Sequence, residues 1–138
     1  MSDSSILTDR TKKGTSIVDY VFMKDKRIPA TFYQTEAGTE PVRDWLKALD
    51  KEDRFLLGTD IKTVEFGWPV GMPTCRPMGD GLIEVLTYLP RGRIARVLFC
   101  IYEGRMVLLH GFIKKTQKTP KKDLDLALAR KRKLEVSK

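Results

Sequence analysis

Runs of apolar residues bounded by turn residues recur along the chain, and this pattern predicts β-strands. The predicted strands cover residues 29–34, 82–89, 94–102 and 106–113, with a further short strand segment at residues 74–78. Turn sequences containing glycine precede the second of these strands and separate the last three. We therefore expect an antiparallel β-meander in the second half of the chain.

Residues 41–67 show the three- to four-residue period of two amphipathic helices. The first helix begins at Pro41, which suits a first helical turn, and its apolar stripe consists of Val42, Trp45, Leu46 and Leu49. Asp50 is the predicted N-cap of the second helix, and Gly67 its predicted end. Its buried face consists of Leu57, Ile61 and Val64. A third helix starts at Pro120 and ends in basic residues.

This order of elements predicts an α+β fold. The expected domain has an antiparallel meander of about four strands, two N-terminal helices packed on one face, and a C-terminal basic helix. The other face of the sheet is expected to be open. We expect residues 1–27 to be a flexible N-terminal extension, because residues 1–15 are polar and lack periodicity, and residues 28–138 to form a single domain.

The composition narrows the class of protein. A chain of 138 residues favours one domain, and no apolar run approaches the roughly 20 residues that cross a bilayer. The first residues lack the long apolar region of a secretion signal. Cys75 and Cys100 are too few for a disulfide framework or a zinc site, so we interpret both as core residues. We expect a cytoplasmic protein with no membrane contact.

The net charge is +8, and most of it lies at the C-terminal end. Residues 114–138 contain ten Lys and Arg against three Asp and Glu, which gives +7, whereas the preceding 113 residues contain sixteen against fifteen, which gives +1. A localised basic surface attracts polyanions and binds phosphates by counterion release. The alternative is a solvated basic helix that only aids solubility.

Several segments together indicate a family. They are EPVRDWLKAL, DIKTVEFGWPVGMP, GLIEV, RIARVLFCI and RMVLLHGFIKKTQKTPKKDLDLALAR. Over residues 30–130 the chain resembles the phage-derived HigB-type branch of the RelE/ParE toxin superfamily. The resemblance implies a RelE-like fold and the toxin of a type II toxin–antitoxin pair. It also implies an endoribonuclease without metal or cofactor that cuts mRNA on the ribosome. The expected partners are the ribosome, mRNA and a cognate antitoxin, often of helix-turn-helix type. One departure is Leu86, where relatives often carry arginine two residues after the strand glutamate.

Metal-free RNA cleavage needs a group that moves protons and cations that stabilise the phosphorane. His110 is the only histidine of the chain, so it must share this work with cations. The candidate catalytic residues are His110, Arg96, Lys114 and Arg76. Strand alternation puts His110 on one side with Leu108, Phe112 and Lys114, so a packed core histidine is the alternative. For Arg96, the resemblance implies contact with the scissile phosphate, and the alternative is an ion pair with Glu84.

The basic segment supplies candidates for RNA or ribosome contact. They are Arg93, Lys115, Lys118, Lys121 and Lys122, although each lysine alone is also typical of a solvated surface. Two rival functions stay open. The first is a ParE-like inhibitor of DNA gyrase without nuclease activity, and the second is an inactive relative that binds its antitoxin and acts as a co-repressor.

Overall fold

Residues 26–136 are described by a computed structural model of the chain. The elements in chain order are β1 (Ala30–Phe32), α1 (Pro41–Ala48), α2 (Lys51–Gly67), β2 (Cys75–Gly79), β3 (Leu82–Tyr88), a 3₁₀ turn (Pro90–Gly92), β4 (Ile94–Tyr102), β5 (Arg105–Lys114) and α3 (Lys121–Val136). Residues 1–25 of the predicted flexible extension lie outside the described residues. Lys26, within the same predicted extension, forms an ion pair of 3.2 Å with Glu65 of α2.

The strands form one mixed sheet in the order β1-β5-β4-β3-β2. Strands β2 to β5 are the predicted antiparallel meander. The sheet has five strands and not the expected four, because β1 joins the meander next to β5. Strand β1 runs parallel to β5, with Ala30 opposite Met106 and Phe32 opposite Leu108. Turn signals specify only neighbouring strands, so they do not predict this long-range pairing.

Helices α1 and α2 cover one face of the sheet, as predicted. The side chain of Asp50 accepts a hydrogen bond of 2.9 Å from the backbone N–H of Asp53, which confirms it as the N-cap of α2. The predicted apolar stripes supply the helical part of the core, and alternate strand residues supply the rest. The buried core members include Val42, Leu46, Leu57, Ile61, Val64, Val85, Val97, Phe99 and Leu108.

The opposite face is covered as well, so the expectation of an open face is wrong. Helix α3 lies across it and buries Ala127 against Leu98, Cys100 and Leu109. Strand β4 accordingly carries buried apolar residues on both sides, with Arg96 as the charged exception, which an open face would not require. Among the described residues, none of the helices is long and apolar enough to cross a membrane.

Candidate functional site

Three of the candidate catalytic side chains, His110, Arg96 and Arg76, lie on the face of the sheet that α3 covers, which we call the α3 face. The strand register puts Arg76 of β2 opposite Glu84 of β3, and Arg96 of β4 opposite Phe112 of β5. His110 lies opposite Leu98, two pairs further along β4 and β5. Four adjacent strands therefore contribute to one cluster.

A β-bulge in β5 gives His110 its direction. Phe99 pairs with Leu108, but the next pair is Leu98 with His110, so Leu109 is an extra residue. Leu108 faces the core under α1 and α2, whereas Leu109 belongs to the cluster under α3. The prediction that Leu108 and His110 share a side is therefore wrong. A bulge redirects the following side chains, and here it turns His110 towards α3.

The imidazole of His110 contacts a residue that the sequence did not single out. Its Nε2 lies 2.7 Å from Oδ1 of Asp123, in the first turn of α3. The ring also stacks on Phe112, with centroids 5.5 Å apart and planes inclined by 25°. The side chain is 16% exposed, so His110 lies at the edge of the cluster and not deep among aliphatic residues. An acidic residue in a first helical turn was the only sequence signal for Asp123, and it is also what helix stability alone favours.

Arg96 is completely buried. Its Nη2 donates a hydrogen bond to the backbone carbonyl of Thr116, and its Nε lies 3.9 Å from Oε2 of Glu84. Among the described residues, Nε and Nη1 have no hydrogen-bond partner. The guanidinium lies beside the Phe112 ring, with Cζ 5.8 Å from the centroid. Burial lowers the pKa of Arg96 from its ordinary value, and the nearby Glu84 carboxylate counters that effect.

Glu84 connects both arginines to the loop that follows β5. This fully buried carboxylate accepts a hydrogen bond of 2.6 Å from Nη2 of Arg76, and another from the hydroxyl of Thr119. Arg76 Nη2 also lies 3.3 Å from the carbonyl oxygen of Gln117. The β5–α3 loop (residues 115–120) is thus held over the arginines. The side chain of Arg76 is 30% exposed, so this guanidinium reaches solvent while Arg96 does not.

The remaining predicted residues lie around this cluster. Lys114 pairs with Ile94 at the end of β5, on the same face as His110 but about 13 Å along the strand. Lys115, Lys118 and Lys122 are exposed.

Lys121 and Arg93 have carboxylate partners. Lys121 forms an exposed ion pair of 2.8 Å with Asp125. Arg93 lies at the β3–β4 turn, away from the cluster. Its guanidinium donates to both carboxylate oxygens of Asp53 in α2, at 2.7 and 3.0 Å. This bidentate pair ties the β3–β4 turn to α2, so the structure does not bring Arg93 into the cluster.

Comparison with known proteins assigns the family. A family model described as phage derived protein Gp49-like matches residues 44–132. The chain belongs to the Gp49-like family. This family is part of the RelE/ParE-like toxin superfamily and is associated with toxins of toxin–antitoxin systems. No curated protein matches the chain.

The Gp49-like match includes the entire cluster on the α3 face. Arg76, Glu84, Arg96, His110 and Asp123 all fall within the matched residues, whereas β1 precedes them. Within residues 26–136, no group of three His, Cys, Asp or Glu side chains is arranged to hold a metal ion. Together these five side chains supply one imidazole, two guanidiniums and two carboxylates.

Proposed function

We propose that this Gp49-like protein is the toxin of a type II toxin–antitoxin pair and a ribosome-dependent mRNA endoribonuclease of the HigB type. The observation that carries the proposal is a partly exposed imidazole, His110, on a face that also bears Arg76 and Arg96. The membership in a toxin-associated family and the basic segment after residue 113 support it. The proposal assigns the protein to the cytoplasm, with a cognate antitoxin, such as one of helix-turn-helix type, as its partner.

The proposed reaction uses the ribose 2′-hydroxyl as the nucleophile. His110 accepts the 2′-OH proton, the 2′-oxygen bonds to phosphorus, and the 5′-oxygen leaves and takes up a proton. The products are a 2′,3′-cyclic phosphate and a 5′-hydroxyl end. Because His110 acts as the base for the 2′-OH, it cannot donate a proton to the 5′-oxygen in the same step. Water or another group supplies the proton that the 5′-oxygen takes up. Binding on the ribosome would align the 2′-oxygen with the phosphate, and alignment of this kind lowers a barrier by about 7–11 kcal/mol.

The two arginines take different roles in this proposal. Arg76 contacts the scissile phosphate, because its side chain is 30% exposed and a guanidinium fork suits a phosphorane. Arg96 lies beneath the β5–α3 loop, so it contributes positive potential to the site without contacting RNA. Only a movement of that loop would give it direct contact with the phosphate. Lys114 extends the positive surface along β5. Lys115, Lys118 and Lys122 bind more distant phosphates, since all three are exposed on one continuous segment.

Induced expression separates this function from its rivals. We expect pulse-labelled protein synthesis to stop and mRNA fragments to accumulate within minutes of induction, while the DNA damage response stays silent. His110→Gln should abolish both effects at equal expression. Lys51→Gln, an exposed substitution at the start of α2 on the other face, should abolish neither. Intact mRNA with a DNA damage response would instead indicate a gyrase inhibitor, and neither effect would indicate a binding-only protein.

A further inference from the structure

Asp123 is buried in a way that helix stability does not require. The residue is 8% exposed, its Oδ1 lies 2.7 Å from Nε2 of His110, and its buried Oδ2 has no hydrogen-bond partner among residues 26–136. An acidic side chain in a first helical turn interacts favourably with the helix dipole even at the surface. Burying a carboxylate with one unsatisfied oxygen is costly, so an interaction with a specific partner must account for the inward orientation of the Asp123 side chain.

Helix α3 is fixed so that Asp123 meets His110. Asp123, Ala127 and Arg130 are spaced by four and three residues, so they lie on one face of the helix. Ala127 is fully buried against the sheet, and Nη1 of Arg130 donates a hydrogen bond of 2.8 Å to the backbone carbonyl of Leu109. Leu109 is the bulge residue next to His110. The helix therefore holds both the backbone and the ring at this point of β5.

We propose that Asp123 is a positioning residue for His110. Its carboxylate accepts a hydrogen bond from Nε2–H and thereby keeps the neutral imidazole in the Nε2–H tautomer. The lone pair of Nδ1 is then available to accept the 2′-OH proton, after which the imidazolium is stabilised by the same carboxylate. This inference rests on the proposed endoribonuclease function, and it adds a residue to the mechanism without assigning it contact with RNA.

The first test is spectroscopic. His110 is the only histidine of the chain, so an untagged, ¹⁵N-labelled protein gives a single pair of imidazole nitrogens that needs no further assignment. We expect the wild-type ring to show a protonated Nε2 and an unprotonated Nδ1. Asp123→Asn should shift the ring towards the other tautomer, because the amide can donate to Nε2. Asp125→Asn, an exposed acidic position two residues further on, should leave the ring spectrum unchanged.

The second test is the rate of mRNA cleavage on programmed ribosomes. Removing a carboxylate that orients a metal-binding histidine typically reduces activity by about 10- to 100-fold, and we expect the same range for an orienting carboxylate here. We expect Asp123→Asn to lower the maximum rate by this factor, with less than about a threefold change in the ribosome concentration that gives half of it. Asp123→Glu, which keeps the carboxylate, should restore part of the rate. Urea unfolding of each variant separates these effects from a loss of folded protein.

The outcomes distinguish this inference from the function on which it rests. A wild-type protein that never cleaves mRNA overturns both. A wild-type protein that cleaves, together with a folded Asp123→Asn variant of equal rate, overturns only the role of Asp123. An unchanged ring tautomer in Asp123→Asn also overturns that role, since any loss of rate would then follow from altered packing of α3.

Discussion

A substitution at Gly111 tests the packing of α1 against β5, the strand that carries His110. This glycine lies between His110 and Phe112, and it faces α1 on the other side of the sheet. A Cβ atom at this position would lie 2.4 Å from Cζ3 and 2.5 Å from Cε3 of Trp45. Carbon atoms in contact are normally about 3.5–4.0 Å apart, so the indole ring would have to move by about 1 Å or more. The side chain of Trp45 is only half-buried, which leaves the ring some room to move.

We therefore expect Gly111→Ala to lower the free energy of unfolding by about 1–3 kcal/mol, the usual cost of overpacking. Urea unfolding followed by circular dichroism measures this difference. Gly58→Ala is the matched control, because no atom beyond the adjacent residues and the local backbone of α2 lies within 4 Å of the added Cβ. It should instead stabilise the protein by up to about 1 kcal/mol, through helix propensity.

Repeating Gly111→Ala in a Trp45→Leu variant tests whether contact with the indole ring causes the loss of stability. In Trp45→Leu, the smaller side chain leaves space for the new methyl group, so Gly111→Ala should cost less than it does in the wild type. The reasoning would be refuted if Gly111→Ala left the wild-type midpoint unchanged, or if it cost the same with and without the indole ring.

Three other predictions follow from the buried charges and thiols. Glu84→Gln should lower the free energy of unfolding by about 3–5 kcal/mol in urea titrations, because two guanidiniums lose their buried counter-charge; an unchanged midpoint would contradict this. The hydrogen bond from Arg93 holds the pKa of Asp53 below its ordinary 3.8, so the pair stabilises the fold at neutral pH and loses its effect as pH falls through that lowered pKa. The stability difference between wild type and Asp53→Asn should therefore be full at pH 7 and shrink below about pH 4, and a gap that widened in acid would contradict the assignment. Burial raises the pKa of the Cys75 and Cys100 thiols to about 11 each, so mass spectrometry should find neither alkylated by iodoacetamide at pH 8 until the protein is unfolded.

Local sequence patterns were sufficient for most elements of this fold. The apolar stripe after Pro41 and the N-cap at Asp50 depend on residues within a few positions of each other, so α1 and α2 could be predicted. The pairing of β1 with β5 joins residues far apart in the sequence, and no local signal encodes it. Local patterns do not predict the docking of α3 either, because most of its residues are polar or charged and its short apolar side resembles that of a solvated helix.

The candidate site also depends on contacts between distant residues, which local sequence patterns do not predict. His110, Arg96 and Arg76 could be selected from their chemistry, since a lone imidazole and charged residues inside strands are unusual. Their surroundings could not be predicted, because the bulge at Leu109 reverses the strand alternation between Leu108 and His110. Asp123 approaches His110 only after α3 folds back over the sheet.

The most direct test of the proposed function is 5′-end mapping of a defined mRNA incubated with purified protein, with and without programmed ribosomes. We expect wild-type protein to produce discrete new ends that carry a 5′-hydroxyl, only when ribosomes are present. His110→Gln, verified as folded, should produce none. Identical cleavage by the folded His110→Gln variant would contradict the assignment of His110, and intact mRNA with wild-type protein on active ribosomes would contradict the endoribonuclease function itself.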